Sequence, residues 1–148
     1  MTDVIAVCGA TGRQGGSVAR SLLGHGRSVR ALTRDAAGKD ARVLADLGAE
    51  VVRADMSDAA SLRGAFEGVA GVYSVQNGIA SGFDEEVRQG RNVADAAAAA
   101  SVRHLVYASA GFGRETGVPS WDSSSRWRRG CASSASPGRS CVRSRSWS

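Results

Sequence analysis

What the chain is short of narrows it first. It has two histidines, two prolines, two tyrosines and three cysteines in 148 residues. Neither His25 nor His104 has a companion at metal-ligand spacing, so no metal is expected. Cys8 sits in an apolar stretch and reads as a small core residue. Cys131 and Cys141 make no Cys-x-x-Cys pair, which argues against a disulfide framework or a dithiol redox motif. No apolar run is long enough to span a bilayer, and the N-terminus lacks the basic and apolar segments of a signal peptide. A reduced, cytoplasmic setting without a membrane partner is therefore expected. A Tyr-x-x-x-Lys acid/base pair is also missing: Tyr73 and Tyr107 lie inside strand-like segments.

What is abundant is glycine in one place. Residues 9 to 16 read GATGRQGG directly behind the apolar run Val4-Ile5-Ala6-Val7-Cys8. Gly9 permits a tight turn out of a strand, Gly12 lets backbone approach a pyrophosphate, and Gly15 lets the next helix pack on the sheet. The helix that follows points its N-terminal amides at the phosphates. The spacing is GxxGxxG, and Ser17 to Leu23 continues with helical periodicity, which is the context this motif requires. The bland alternative is an ordinary glycine-rich strand-to-helix turn.

Strand-like and helix-like segments then alternate. Strands are expected at Val4–Cys8, Ser28–Thr33, Glu50–Ala54, Gly71–Val75 and His104–Ala108. Helices are expected at Gly12–Gly24, Lys39–Leu47, Ala59–Phe66 with Ser57 or Asp58 as N-cap, and Asp84–Ala100. Five strands separated by helices imply right-handed crossovers and a Rossmann-type, doubly wound parallel α/β sheet. Ligands of such sheets bind beyond the carboxyl ends of the strands, at the switch point beside the first.

The residues ending each strand are thus the site candidates. Arg34 follows strand two, and Arg13 lies in the glycine loop; a cation here suits the extra phosphate of NADP(H), whereas a carboxylate would favour NAD(H). The alternative for Arg34 is a solvated surface pair with Asp35. After strand three, Asp55 can meet the adenine amino group and Met56 can cover the ring; Asp55 can equally be a turn cap. Gln76 and Asn77 follow strand four and border the nicotinamide side. Ser109 follows strand five, either facing substrate or as a loop serine without chemistry.

The chain changes character near residue 121. Residues 1 to 120 hold 13 basic and 13 acidic side chains, so the net charge of +5 lies entirely in the last 28 residues, which also hold all three Trp and ten Ser. That segment, residues 121 to 148, has no apolar periodicity and reads as a disordered tail. A basic, Trp-spaced tail would also suit nucleic acid, but that reading explains only the charge, and nucleic acid is not the partner expected.

Taken together, GATGRQGGSVARSL, VRALTRD, GAEVVRADMSD and GRNVADAAAAASVRHLVYASA resemble the NmrA-like proteins, a branch of atypical short-chain dehydrogenase relatives, over about residues 3 to 120. The resemblance implies an NADP-binding domain. Relatives are either redox-sensing regulators with a protein partner or reductases of quinones and other small carbonyl compounds. It matches Gly9, Thr11, Gly12, Gln14 and Gly15 to the pyrophosphate loop, Arg34 to the phosphate-selecting cation and Asn77 to a polar residue after strand four. No catalytic residue is assigned.

Relatives continue past a segment like Gly117-Val118-Pro119 with a Ser-Lys pair on a helix, a strand and a smaller substrate domain, and this chain departs there. Residues 122 to 127 can be encoded by GAC TCC AGT TCC AGG TGG. One added A after TCC gives Asp-Ser-Lys-Phe-Gln-Val, and with permitted codons the rest can read Glu-Ala-Gly-Val-Arg-Glu-Leu-Gly-Leu-Ala-Trp-Thr-Val-Leu-Arg-Pro-Val-Ser-Phe-Met-Glu. That is an amphipathic helix, a turn and a strand in family order. The expectation is a single-base frameshift from about Ser124 onward. A lysine that holds the nicotinamide ribose in relatives would then fall at position 124, and the chain as written would be a catalytically inactive, weak dinucleotide binder.

Overall fold

The computed structural model describes residues 3–77, 81–108 and 140–144. Its first strand, β1 (Val4–Val7), is followed by α1 (Arg13–Gly24), β2 (Ser28–Thr33), α2 (Lys39–Asp46), β3 (Glu50–Arg53), α3 (Ala59–Ala65), β4 (Val69–Ser74), α4 (Phe83–Ala99) and β5 (His104–Ala108), with β6 (Ser140–Ser144) last. All neighbours pair in parallel, and the order is β3-β2-β1-β4-β5-β6. The chain winds outward from β1 to one edge, then crosses to β4 and winds to the other. That is the doubly wound Rossmann arrangement, with its switch point between β1 and β4.

Residue alternation splits the core into two layers. Ala6, Cys8, Leu32 and Val72 face one side, where Leu62 and Ala65 of α3 and Val93, Ala96 and Ala97 of α4 pack around Phe66. Val7, Val29, Ala31 and Tyr73 face the other, against Ala19 of α1 and Leu44 of α2. On α1, the buried residues Gly15, Gly16 and Ala19 are all small, so the helix lies close to the strands. Asp58 is the N-cap of α3, its carboxylate accepting from the Ala60 N–H at 3.0 Å. Arg30 ties β2 to its surroundings: it donates to Glu50 and to the carbonyls of Ala65 and Glu67, each at 2.8 Å.

Two features depart from expectation. Strand β4 starts at Val69, two residues early, because Val69 pairs with Val4 ahead of a register shift in β1. The sheet also has a sixth strand. β6 runs in register along β5 from Ser140 opposite His104 to Ser144 opposite Ala108. These five residues fall within the segment expected to be disordered. Ser-Cys-Val-Arg-Ser carries almost no apolar alternation, so no strand signal was legible there. The rest of the segment, 121–139 and 145–148, lies outside the described residues, as does Ser109.

Candidate functional site

At the carboxyl end of β1 the chain turns sharply: Gly9 takes φ +64°, a left-handed conformation that glycine adopts without strain, and its carbonyl accepts from the Gly12 N–H at 3.0 Å. Gly12 then caps α1 in an extended conformation with no side chain over the helix end. The first-turn amides of α1 are left open, a ready site for an anion. Gly15 cannot be anything larger without movement. A Cβ there would lie 2.2 Å from the Gly9 carbonyl oxygen and 3.1 Å from that of Cys8. Cys8 itself is fully buried, and desolvation pushes its thiol up to about 12, so it remains an unreactive core residue.

The loop is fixed to the strands on either side. Thr11 meets Thr33 of β2 hydroxyl to hydroxyl at 3.3 Å, and the Ala10 N–H donates to the Leu32 carbonyl at 3.2 Å. On the other flank, Gln14 donates from Nε2 to the Tyr73 hydroxyl at 3.0 Å. Thus Thr11 and Gln14, both read as pyrophosphate-loop residues, also set the loop's position through their side chains.

Arg13 and Arg34 are exposed. The surface pair between Arg34 and Asp35 is not formed; the Asp35 carboxylate turns back to accept from the Ala37 N–H at 3.2 Å. Arg34 stands at the tip of β2 with no hydrogen bond or ion pair among the described residues.

Beyond β3, Asp55 Oδ1 accepts from the Ser57 N–H at 2.8 Å, the turn-capping role; Oδ2 has no hydrogen-bond partner among the described residues. Met56 is half-buried against the α3–α4 layer. Gln76, read as bordering the nicotinamide, lies against Met56 and Ser74. Its Nε2 lies 3.5 Å from Met56 Sδ and 2.5 Å from Ser74 Oγ. Gln76 is two residues after Ser74 and so falls on the same face, towards α3 and α4. Its Oε1 is buried and makes no hydrogen bond among the described residues. Asn77 is exposed, and its carbonyl accepts from the Ser81 N–H and hydroxyl.

Several positioning residues were not legible in advance: Thr33, Tyr73, Ser74, Glu85, Gln89 and Asn92. For Glu85, Gln89 and Asn92 a signal existed, since steps of four and three put them on one face of the helix, though Asp84, Glu86, Arg88, Arg91 and Asp95 lie among them. Glu85 is the carboxylate among them whose titration is moved. Hydrogen bonds from Arg88, then Ser57, then Gln89 lower its carboxyl from 4.5 to about 2.

A glycine turn at the switch point, with an exposed guanidinium at the tip of the next strand, is the site this sheet presents. The model of the NmrA-like family matches residues 1–131. The chain belongs to the NmrA-like family. One relative, the NmrA-like family domain-containing oxidoreductase FrzB of Cladobotryum sp, is 44% identical over 115 residues, covering 74% of this chain and 34% of that protein. Triphenylmethane reductase of Citrobacter sp., solved with NADP(H), is similar with a TM-score of 0.74 at 29% identity, covering 88% of this chain and 45% of that one. NmrA, a negative transcriptional regulator solved with NADP, gives a TM-score of 0.76 at 26% identity, covering 88% and 41%. The chain spans about a third of the length of the curated NmrA-like relatives it matches. No helix among the described residues is long and apolar enough to cross a membrane.

Proposed function

We propose that this domain binds NADP(H), and that the NmrA-like protein built on it is an NADPH-dependent reductase of quinones or other small carbonyl compounds. The observation that carries the cofactor choice is Arg34, exposed at the tip of β2 and without a hydrogen bond or ion pair among the described residues, while Asp35 Oδ1 accepts from the Ala37 N–H. A planar guanidinium suits the 2′-phosphate of NADP(H). The residues fit the dinucleotide. The open amides of α1 and the backbone of Gly9, Gly12 and Gly15 would hold the pyrophosphate, Arg34 with Arg13 the 2′-phosphate, and Met56 the adenine face, with Asp55 Oδ2 and the buried Gln76 Oε1 left as free acceptors.

The bound cofactor supplies the hydride. The chain's part is to orient it. Both tyrosine hydroxyls are engaged, Tyr73 by Gln14 and Tyr107 with the buried Glu86 at 3.3 Å. Hydride transfer to a quinone asks little proton chemistry of the protein, which is why that acceptor class is favoured. The reductase reading is supported by the relatives named oxidoreductases and by triphenylmethane reductase. A second reading, a redox-sensing regulator that binds NADP(H) and a protein partner without turnover, is supported by the likeness to NmrA.

The test is titration with NADPH and with NADH, for the wild type and Arg34→Ala. NADPH is expected to bind more tightly than NADH, and Arg34→Ala to weaken NADPH roughly tenfold while leaving NADH nearly unchanged. Equal affinity for the two cofactors, or no loss in the variant, would refute the NADP(H) preference. NADPH oxidation with a quinone separates reductase from regulator.

A further inference from the structure

Glu85, Gln89 and Asn92 stand at i, i+4 and i+7 on α4 and therefore form one row along it. The row is half-buried and meets the loop after β3. Ser57 donates to Glu85 Oε1 at 2.5 Å, and Gln89 Nε2 donates to Ser57 Oγ at 3.1 Å. Asn92 Nδ2 donates to the backbone carbonyl of Met56 at 3.0 Å. From the opposite side Gln76 reaches the Met56 sulfur. Met56 is thus held at its backbone by α4 and at its side chain by the end of β4.

The loop does not need this row in order to turn. Its own bonds already close it: Asp55 Oδ1 accepts from the Ser57 N–H, and Ser61 Oγ donates to the Asp55 carbonyl at 3.1 Å. Nor does α4 need the row to pack, because Val87, Gly90, Val93, Ala96 and Ala97 are buried on its sheet-facing side. What the row adds is a fixed position for Met56 relative to the sheet. Satisfied polar networks of this kind specify one geometry.

We propose that Asn92 is a positioning residue for the base-binding wall: through the Met56 carbonyl it sets the side chain that covers the adenine, while Gln89 and Glu85 hold Ser57 beside it. This rests on the dinucleotide reading given above. It makes the adenine half of the site dependent on α4, while the pyrophosphate rests on the glycine loop and its Tyr73 anchor.

The test uses the full chain with Asn92→Leu, which keeps the size and removes the donor, and Asn92→Ala as a second variant. Each is titrated with 2′,5′-ADP, which carries the adenine and the 2′-phosphate, and with reduced nicotinamide mononucleotide. The expected result is about a fivefold weaker affinity for 2′,5′-ADP, no change for the mononucleotide, and an unliganded melting temperature close to wild type. Unchanged affinity for 2′,5′-ADP, or an equal loss for both ligands, overturns the proposal. So does failure of both variants to fold, which would make Asn92 structural. A wild type that binds neither ligand overturns the dinucleotide reading itself, and this one with it.

Discussion

The hydroxyls of Thr11 and Thr33 meet at 3.3 Å and join the glycine loop to the end of β2, one residue before Arg34. Thr33 is buried, and its Oγ1 also accepts from the Asp35 N–H at 3.2 Å. One side chain therefore sets the phosphate loop and the strand tip that presents the cation. Thr33→Val keeps the shape but leaves the Thr11 hydroxyl and the Asp35 amide without this partner. The expected cost is about 1–2 kcal/mol in denaturant unfolding, with NADPH weakened more than NADH. Equal weakening of the two cofactors would show that Thr33 does not help to place Arg34.

Gly15→Ala tests the cradle. Its Cβ would stand 2.2 Å from the Gly9 carbonyl oxygen, a backbone atom that cannot rotate away. Overpacking of this kind costs about 1–3 kcal/mol, and because the displaced atoms form the loop, dinucleotide affinity is expected to fall with stability. Gly24→Ala is the contrast, at the end of the same helix with nothing within 4 Å of an added Cβ. It is expected to be neutral or to stabilise by about 0.5–1 kcal/mol. Similar losses in both variants, read by urea unfolding and NADPH titration, would remove the special status of Gly15.

Much of this architecture is legible in the sequence because it rests on local signals. β2 and β5 match their expected bounds, and the other elements through β5 differ by one or two residues. The reason is that apolar runs, Gly9, Gly26, Gly48 and the Asp58 cap mark the boundaries themselves. The glycine loop was readable for the same reason. What was not readable depends on partners far apart in the chain. Asn92 finds Met56 across 36 residues, and Gln14 finds Tyr73 across 59. Periodicity could show that Asn92 lay in a polar row on a helix, but not that the row faced a loop. Nor could it show that Gln76 reaches the Met56 sulfur across 20 residues. β6 was missed because Ser140–Ser144 has backbone partners in β5 but no apolar alternation of its own.

Glu85 gives a pH signature. Its carboxyl is lowered from 4.5 to about 2, chiefly by the hydrogen bond from Arg88 and then by Ser57 and Gln89. A folded-state value below the unfolded one means that its stabilisation is fully present above the unfolded value and is lost as pH falls towards the folded value. Glu85→Gln is therefore expected to melt below wild type at pH 7, with the gap closing between pH 4.5 and about 2. Melting curves followed by circular dichroism across that range check it; a gap that stays constant down to pH 2 would exclude Glu85 as its source.

The segment after residue 121 yields the last prediction. β6 occupies positions 140 to 144, where the chain reads Ser-Cys-Val-Arg-Ser. With one base restored after codon 123, the same five positions read Val-Leu-Arg-Pro-Val, and position 124 becomes lysine. The two Val and the Leu suit a parallel strand, and the Pro is tolerated because β6 is the edge strand of the sheet. The coincidence of register supports a single-base frameshift in the reading of the sequence from about Ser124 onward rather than a specialised basic tail. Sequencing codons 118 to 130 from source DNA, with an intact mass of the expressed protein, is expected to reveal the added base. The repaired protein is then expected to oxidise NADPH in the presence of a quinone, and the chain as written to bind the dinucleotide weakly without turnover. If the frame stands and the mass agrees, the tail is genuine. Turnover by the chain as written would show that the lysine at position 124 is not required.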